Sequence, residues 1–306
     1  MVAASRKTEP NGLVKFGRMQ RFRIGAITDE FSSDISIAAA AMHELGMKGA
    51  ELRVVGGKNI MDLSDEEIAQ TMGILRQNGL EVVSIASPLL KCTLPDAPEI
   101  DSRFQQDMFN AKYTFADQPR LAERAFEIAK LTGAKIVRVF SYWRVLTPDV
   151  VFERVVDALQ DLSDKAADHG LIIGLENEHA CNIATAQETA KVLAAIDHEN
   201  LQVVWDPANA YISGENPYPT GYHMLDATRI GHVHAKDCGL DGHKPVWGPL
   251  GECDIDWQGQ IDALAGDGYK GFIHLETHWA GPDGNKLEGS KICGRNLKKL
   301  VAGNAL

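Results

Sequence analysis

The feature that most constrains this chain is an alternation repeated eight times, in which a short run of β-branched and small apolar residues precedes a longer segment of helical period. Strands are expected over 22–27, 49–54, 81–86, 135–140, 171–176, 201–206, 230–235 and 271–276. Helices are expected over 33–45, 64–78, 118–132, 148–169, 185–197, 217–227, 257–266 and 286–302. Parallel neighbours need a crossover between them, so eight strand-then-helix units predict an α/β fold closed into a (β/α)8 TIM barrel. The punctuation agrees. Ser64 stands three residues before Glu67 as a helix-opening pair, Pro148 follows Thr147 where a helix begins, and Gly46, Gly79, Gly133 and Gly170 close helices just before the next strand. An open, doubly wound sheet would need a glycine-rich nucleotide turn after an early strand, and Ala26-Ile27-Thr28-Asp29-Glu30 is not one.

At 306 residues the chain has the size of one such barrel. Residues 1–20 hold Arg6, Lys7, Lys15 and Arg18 without an apolar stretch, which reads as a flexible N-terminal arm and not a secretory signal; residues 21–306 read as a single barrel domain. No run approaches the roughly 18 apolar residues of a membrane span. A net charge of −11 opposes nucleic acid or an anionic membrane as partner. The five cysteines lack CxxC spacing, so neither a zinc knuckle nor a disulfide framework is expected, and a reducing, cytoplasmic setting is.

Chemistry concentrates where four consecutive strands end. His232 and His234 in Gly231-His232-Val233-His234-Ala235-Lys236-Asp237 are two apart and share one strand face. Glu176 ends strand five, Asp206 strand six and Glu276 strand eight, at the carboxyl ends where parallel barrels keep their sites. Three inward carboxylates would repel one another without a cation. A single divalent ion is therefore expected. Three oxygens and one imidazole suit Mn²⁺ best, with Mg²⁺, Co²⁺ or Zn²⁺ compatible.

The ordered set GLENEH, WDPAN, GHVHAKD and HLETH resembles the xylose-isomerase-like TIM barrel superfamily of sugar isomerases and epimerases, over residues 22–302. The resemblance implies that Glu176, Asp206, His234 and Glu276 are the ligands of one divalent ion and that Glu176 and Glu276 are the catalytic acid and base. It leaves His232 as a supporting or core residue. The chain departs from the ketose 3-epimerases of that superfamily at Asn209, where they carry His, and at Leu240, where they carry Arg. Lys236-Asp237 is closer to inosose dehydratases and enzymes of 3-oxo-sugars. Homo-oligomers are implied by analogy alone.

A metal that polarises a substrate carbonyl makes the adjacent C–H acidic enough for a carboxylate to take its proton, leaving an enediolate. Returning the proton elsewhere gives isomerisation or epimerisation; losing a β-oxygen gives elimination. The first reading is a metal-dependent sugar isomerase or epimerase, and the second a lyase or dehydratase on a 3-oxo-sugar, 3-oxo-glycoside or inosose. Expected substrate contacts are His179, Asn209, Lys236, Arg138, Glu51, Trp143 and Trp247, with Tyr142 and Trp279 in the same loops. No phosphate cradle is visible, so the substrate is read as an unphosphorylated sugar or sugar derivative.

Overall fold

The computed structural model describes residues 22–104, 106–242 and 244–302; the expected arm over 1–20 lies outside them. Eight parallel strands close into a barrel: β1 Arg23–Ile27, β2 Gly49–Leu52, β3 Glu81–Leu89, β4 Ile136–Val139, β5 Ile172–Glu176, β6 Leu201–Trp205, β7 Ile230–Ala235 and β8 Phe272–Leu275. The circuit closes where β1 pairs with both β2 and β8. The strands are buried on both faces almost throughout, because helices cover the outside and packed side chains fill the inside.

The helices are α1 Ile35–Glu44, α2 Asp65–Gln77, α3 Gln118–Thr132, α4 Phe152–Asp168, α5 Ala186–Ala195, α6 Pro207–Ile212, α7 Trp257–Gly266 and α8 Lys286–Ala302. Each lays one stripe on the barrel; in α4 it is Val155, Leu159, Leu162 and Ala166. Ser64 and Glu67 form the expected reciprocal cap of α2, and Gly133 ends α3 in the left-handed region at φ 80°.

The sixth helix departs from expectation. It forms at once after β6, over Pro207–Ile212, and not over 217–227. Pro207 is preset for a first helical turn and Asp206 accepts from the Asn209 amide, whereas Pro217, Pro219 and Gly221 break the later segment into short turns. Strand β3 runs on to Leu89, past the expected end at 86. The loop after β7 holds a hairpin of Cys238–Asp241 against Lys244–Trp247. Among the described residues no helix is long and apolar enough to cross a membrane.

Candidate active site

Glu176, Asp206, His234 and Glu276 each offer a ligand atom within 4.8 Å of the others, all four buried. Strand geometry puts them there. Glu176 ends β5, Asp206 follows β6 as the N-cap of α6, His234 lies near the end of β7 and Glu276 follows β8. Asn177 pins the Asp206 backbone from both sides: its Oδ1 accepts from the Asp206 amide at 2.8 Å and its Nδ2 donates to the Asp206 carbonyl at 2.8 Å.

Cations crowd the cluster. Arg53 Nη1 donates to Glu276 Oε1 at 2.8 Å, Arg138 Nη1 lies 3.2 Å from Glu176 Oε2, and Lys236 Nζ lies 2.9 Å from both Asp206 Oδ2 and Glu276 Oε2. Burial alone would raise the Glu276 carboxyl, but Lys236 and His234 hold it well below the ordinary range. Burial also opposes charge on His234; the facing Glu51 and Glu176 carboxylates outweigh it and push that imidazole well up. Asp206 goes the other way. Burial, with Glu276 and Glu176 beside it, lifts its carboxyl to about 7 against the pull of Lys236.

The donors fit a divalent ion. Glu176 Oε2 and Asp206 Oδ2 are buried oxygens with no hydrogen bond, since the nearby ammonium and guanidinium approach them without bonding geometry. His234 Nδ1 lies 3.2 Å from Glu176 Oε1 and 3.4 Å from Glu276 Oε2. Carboxylate oxygens free of hydrogen bonds and one imidazole, gathered within 4.8 Å of one another, are the donor set of a hard or borderline cation.

A cleft of about 480 Å³ is lined by Lys91, Phe104, Phe109, Glu178, His179, Trp247 and His278, among others. Two linkages join it to the cluster. His278 Nε2 is 3.7 Å from Glu276 Oε1, and His179 Nδ1 is 2.8 Å from Asn209 Oδ1, whose Nδ2 donates to Glu176 at 3.4 Å. Of the expected substrate contacts, His179 and Trp247 line this cleft. Lys236, Arg138 and Asn209 sit against the carboxylates, buried.

Two expected contacts fall elsewhere. Glu51 is fully buried inside the barrel and accepts from Ser84 while facing three imidazoles, so no oxygen of it reaches the cleft. Trp143 is buried in a side cluster with Phe140, Ala180 and Cys181, where the loop after β4 packs on the loop after β5. Tyr142 is buried and Trp279 packs on the main core; neither lines the cleft.

Sequence reasoning missed Arg53, Lys91, His278 and Phe109, and it saw Glu178 on the face of Glu176 without giving it a role. Arg53 was findable, being two residues beyond Glu51 at the end of β2. Its guanidinium also pairs with Asp29 at 2.8 Å and with Glu30, and lies 3.9 Å from the centre of the Phe109 ring. Lys91 Nζ lies 3.7 Å from Glu178 Oε2 and 4.4 Å from the Phe140 ring centre.

Fold and cluster together define a parallel-barrel protein with a carboxylate-and-imidazole centre at the exit of four consecutive strands. A profile of the xylose isomerase-like TIM barrel family matches residues 39–295, and the chain belongs to that family. Among curated relatives, an inosose dehydratase of Lactiplantibacillus plantarum is 24% identical over 199 residues, 60% of this chain and 64% of that protein. The chain thus matches less than two thirds of that relative's length, and 47% of a second inosose dehydratase from Geobacillus thermodenitrificans. Among solved structures, the IOLI protein with a bound zinc atom superposes with a TM-score of 0.68 at 16% identity, covering 92% of this chain and 98% of that one. A D-allulose 3-epimerase from Methylomonas sp. superposes with a TM-score of 0.66 at 19% identity, covering 92% and 97%. These structural likenesses show the shared barrel.

Proposed function

We propose that the chain is a divalent-metal-dependent enzyme that removes a proton beside the carbonyl of a polyhydroxylated ketone and then expels a β-oxygen, as a lyase or dehydratase acting on an inosose, 3-oxo-sugar or 3-oxo-glycoside. The observation that carries the reading is the set of four buried donors with two carboxylate oxygens lacking any hydrogen bond. Glu176, Asp206, His234 and Glu276 would hold the ion. When bound, it supplies Lewis acidity toward the substrate carbonyl.

The chain's own groups do the rest. Glu276, held ionised by Lys236, is the base within reach of the cleft. Glu176, bridged to His179 through Asn209, is placed to return or relay a proton. Trp247 and Phe109 offer apolar faces to a ring, and Lys91, Glu178, His179 and His278 offer hydrogen bonds to hydroxyls. The His179 imidazole lines the cleft where a departing hydroxide needs a proton, which a simple proton return does not, whereas burial pushes the His278 imidazole down to about 4 and leaves it an acceptor.

Elimination is preferred to the isomerase or epimerase reading placed first from the motifs because Asn209 and Leu240 depart from the ketose 3-epimerases and the relatives found by sequence include inosose dehydratases. Epimerisation is the second reading, favoured by the two glutamates that flank His234 Nδ1. The test is incubation with Mn²⁺ and inososes or 3-oxo-sugars in deuterated water. Loss of water or aglycone supports elimination. Deuterium entering a rearranged sugar with nothing released supports epimerisation, and no exchange with any such ketone overturns both.

A further inference from the structure

We infer that Glu51 is a positioning residue that fixes His234 in one tautomer, Nε2 protonated and Nδ1 free for the ion, with His232 and His274 holding Glu51 in place. The inference rests on the reading that a divalent ion binds the four donors.

One oxygen of Glu51, Oε2, lies 3.0 Å from His234 Nε2, 3.1 Å from His232 Nε2 and 3.2 Å from His274 Nδ1. Its other oxygen accepts the Ser84 hydroxyl at 3.1 Å. All four partners are buried. An ionised carboxylate has no proton to give, so each ring atom facing it must carry its own. On His232 and His274 the opposite nitrogens are then bare. His232 Nδ1 and His274 Nε2 are buried without a hydrogen-bond partner, the arrangement a bare acceptor tolerates better than an orphaned N–H. On His234 the opposite atom is Nδ1, which faces Glu176 and Glu276 and carries a proton of its own while no ion lies between them; an ion displaces that proton, and Glu51 keeps the one on Nε2.

The interior is shaped for this network. His274 lies level with His234 on β7 and with Gly25 on β1, and Gly25 lies level with Gly49 on β2. A Cβ at Gly25 or Gly49 would run into the His274 ring. Glu51, His232 and His234 also bring ligand atoms within 4.8 Å of one another, so a second ion is the rival occupant. Three protons directed at one carboxylate leave that ion no lone pair.

The experiment measures Zn²⁺ binding by the full chain, stripped of metal, against a chromophoric chelator, for the wild type, Glu51→Gln and Glu51→Leu. The wild type is expected to bind one Zn²⁺ per chain, and Glu51→Leu to bind it about 10- to 100-fold more weakly with its cooperative melt retained. Glu51→Gln, which keeps an acceptor but loses the charge, should fall between them. A lower melting temperature with unchanged affinity would show a purely structural role and overturn the inference. Should Glu51→Leu fail to fold, nitrogen-15 spectra of histidine-labelled, Zn²⁺-loaded wild type decide, with His234 signals identified by their loss in His234→Asn. A proton on Nε2 and the ion on Nδ1 support it; the reverse, or two Zn²⁺ per chain, overturns it. No Zn²⁺ bound by the wild type removes the metal reading as well, whereas tight wild-type binding indifferent to Glu51 removes this inference alone.

Discussion

The two halves of the barrel divide the labour. Strands β5 to β8 end in the four donors, while β2 and β4 supply the groups that hold three of them: Arg138 against Glu176, Glu51 against His234 and Arg53 against Glu276. Asp206 is the exception, held by Asn177 and Lys236 from its own half. The difference teaches that a site of like charges on one side of a closed sheet is made tolerable from the other side, across the barrel interior, where low dielectric strengthens each pairing.

That contrast breaks first at the donors. Glu176→Gln and Glu276→Gln should each cost about a hundredfold to ten-thousandfold in turnover, with circular dichroism and melting near wild type. Wild-type rates after either change would remove that glutamate from the chemistry. The holding half should fail differently. Arg53→Met strands the buried Glu30 and Glu276 and the part-buried Asp29, so it should cost about 3–5 kcal/mol of stability by urea unfolding, alongside any loss of rate.

A pH dependence sharpens the same point. Burial opposes the charge of Glu30, yet Arg53, with His278 and Lys286, brings its carboxyl down from 4.5 to about 2. A depressed carboxyl contributes stability in full above its unfolded value, so that contribution is lost as pH falls from 4.5 toward about 2. Urea midpoints of the wild type should fall steeply across that window, and those of Arg53→Met should fall less; equal slopes would separate Glu30 from Arg53. The smallest effect distinguishes two tryptophans. Trp247→Leu, in the cleft, should raise KM about three- to tenfold, and Trp143→Phe, in the side cluster, should leave KM unchanged.

The ligand half was legible because its signal is periodic: one charged residue at each strand exit, spaced by a βα unit, with alternation fixing the inward face. The barrel was legible for the same reason. The holding half was legible only in part: Glu51 and Arg138 stood out on their strands but were read as substrate contacts, while Arg53 just beyond one strand and Lys91 past the end of an extended β3 enter at depths that no period marks. Charge type alone did not say which way Glu51 would turn. Glu51 stands level with Ile27 and Ser84, and two residues before it Gly49, level with Gly25, leaves space that His274 fills; that arrangement emerges only when the sheet closes. The sixth helix was misplaced because helical period was weighed above the capping of Pro207 by Asp206.

The most direct measurement is calorimetric titration of the metal-stripped chain with Mn²⁺, beside a chain carrying Asp206→Ala and His234→Ala. One ion per wild-type chain, and none in the double variant while it keeps its cooperative melt, is the predicted result. Equal binding by both chains, or none by the wild type, would contradict a metal centre built from those strand ends.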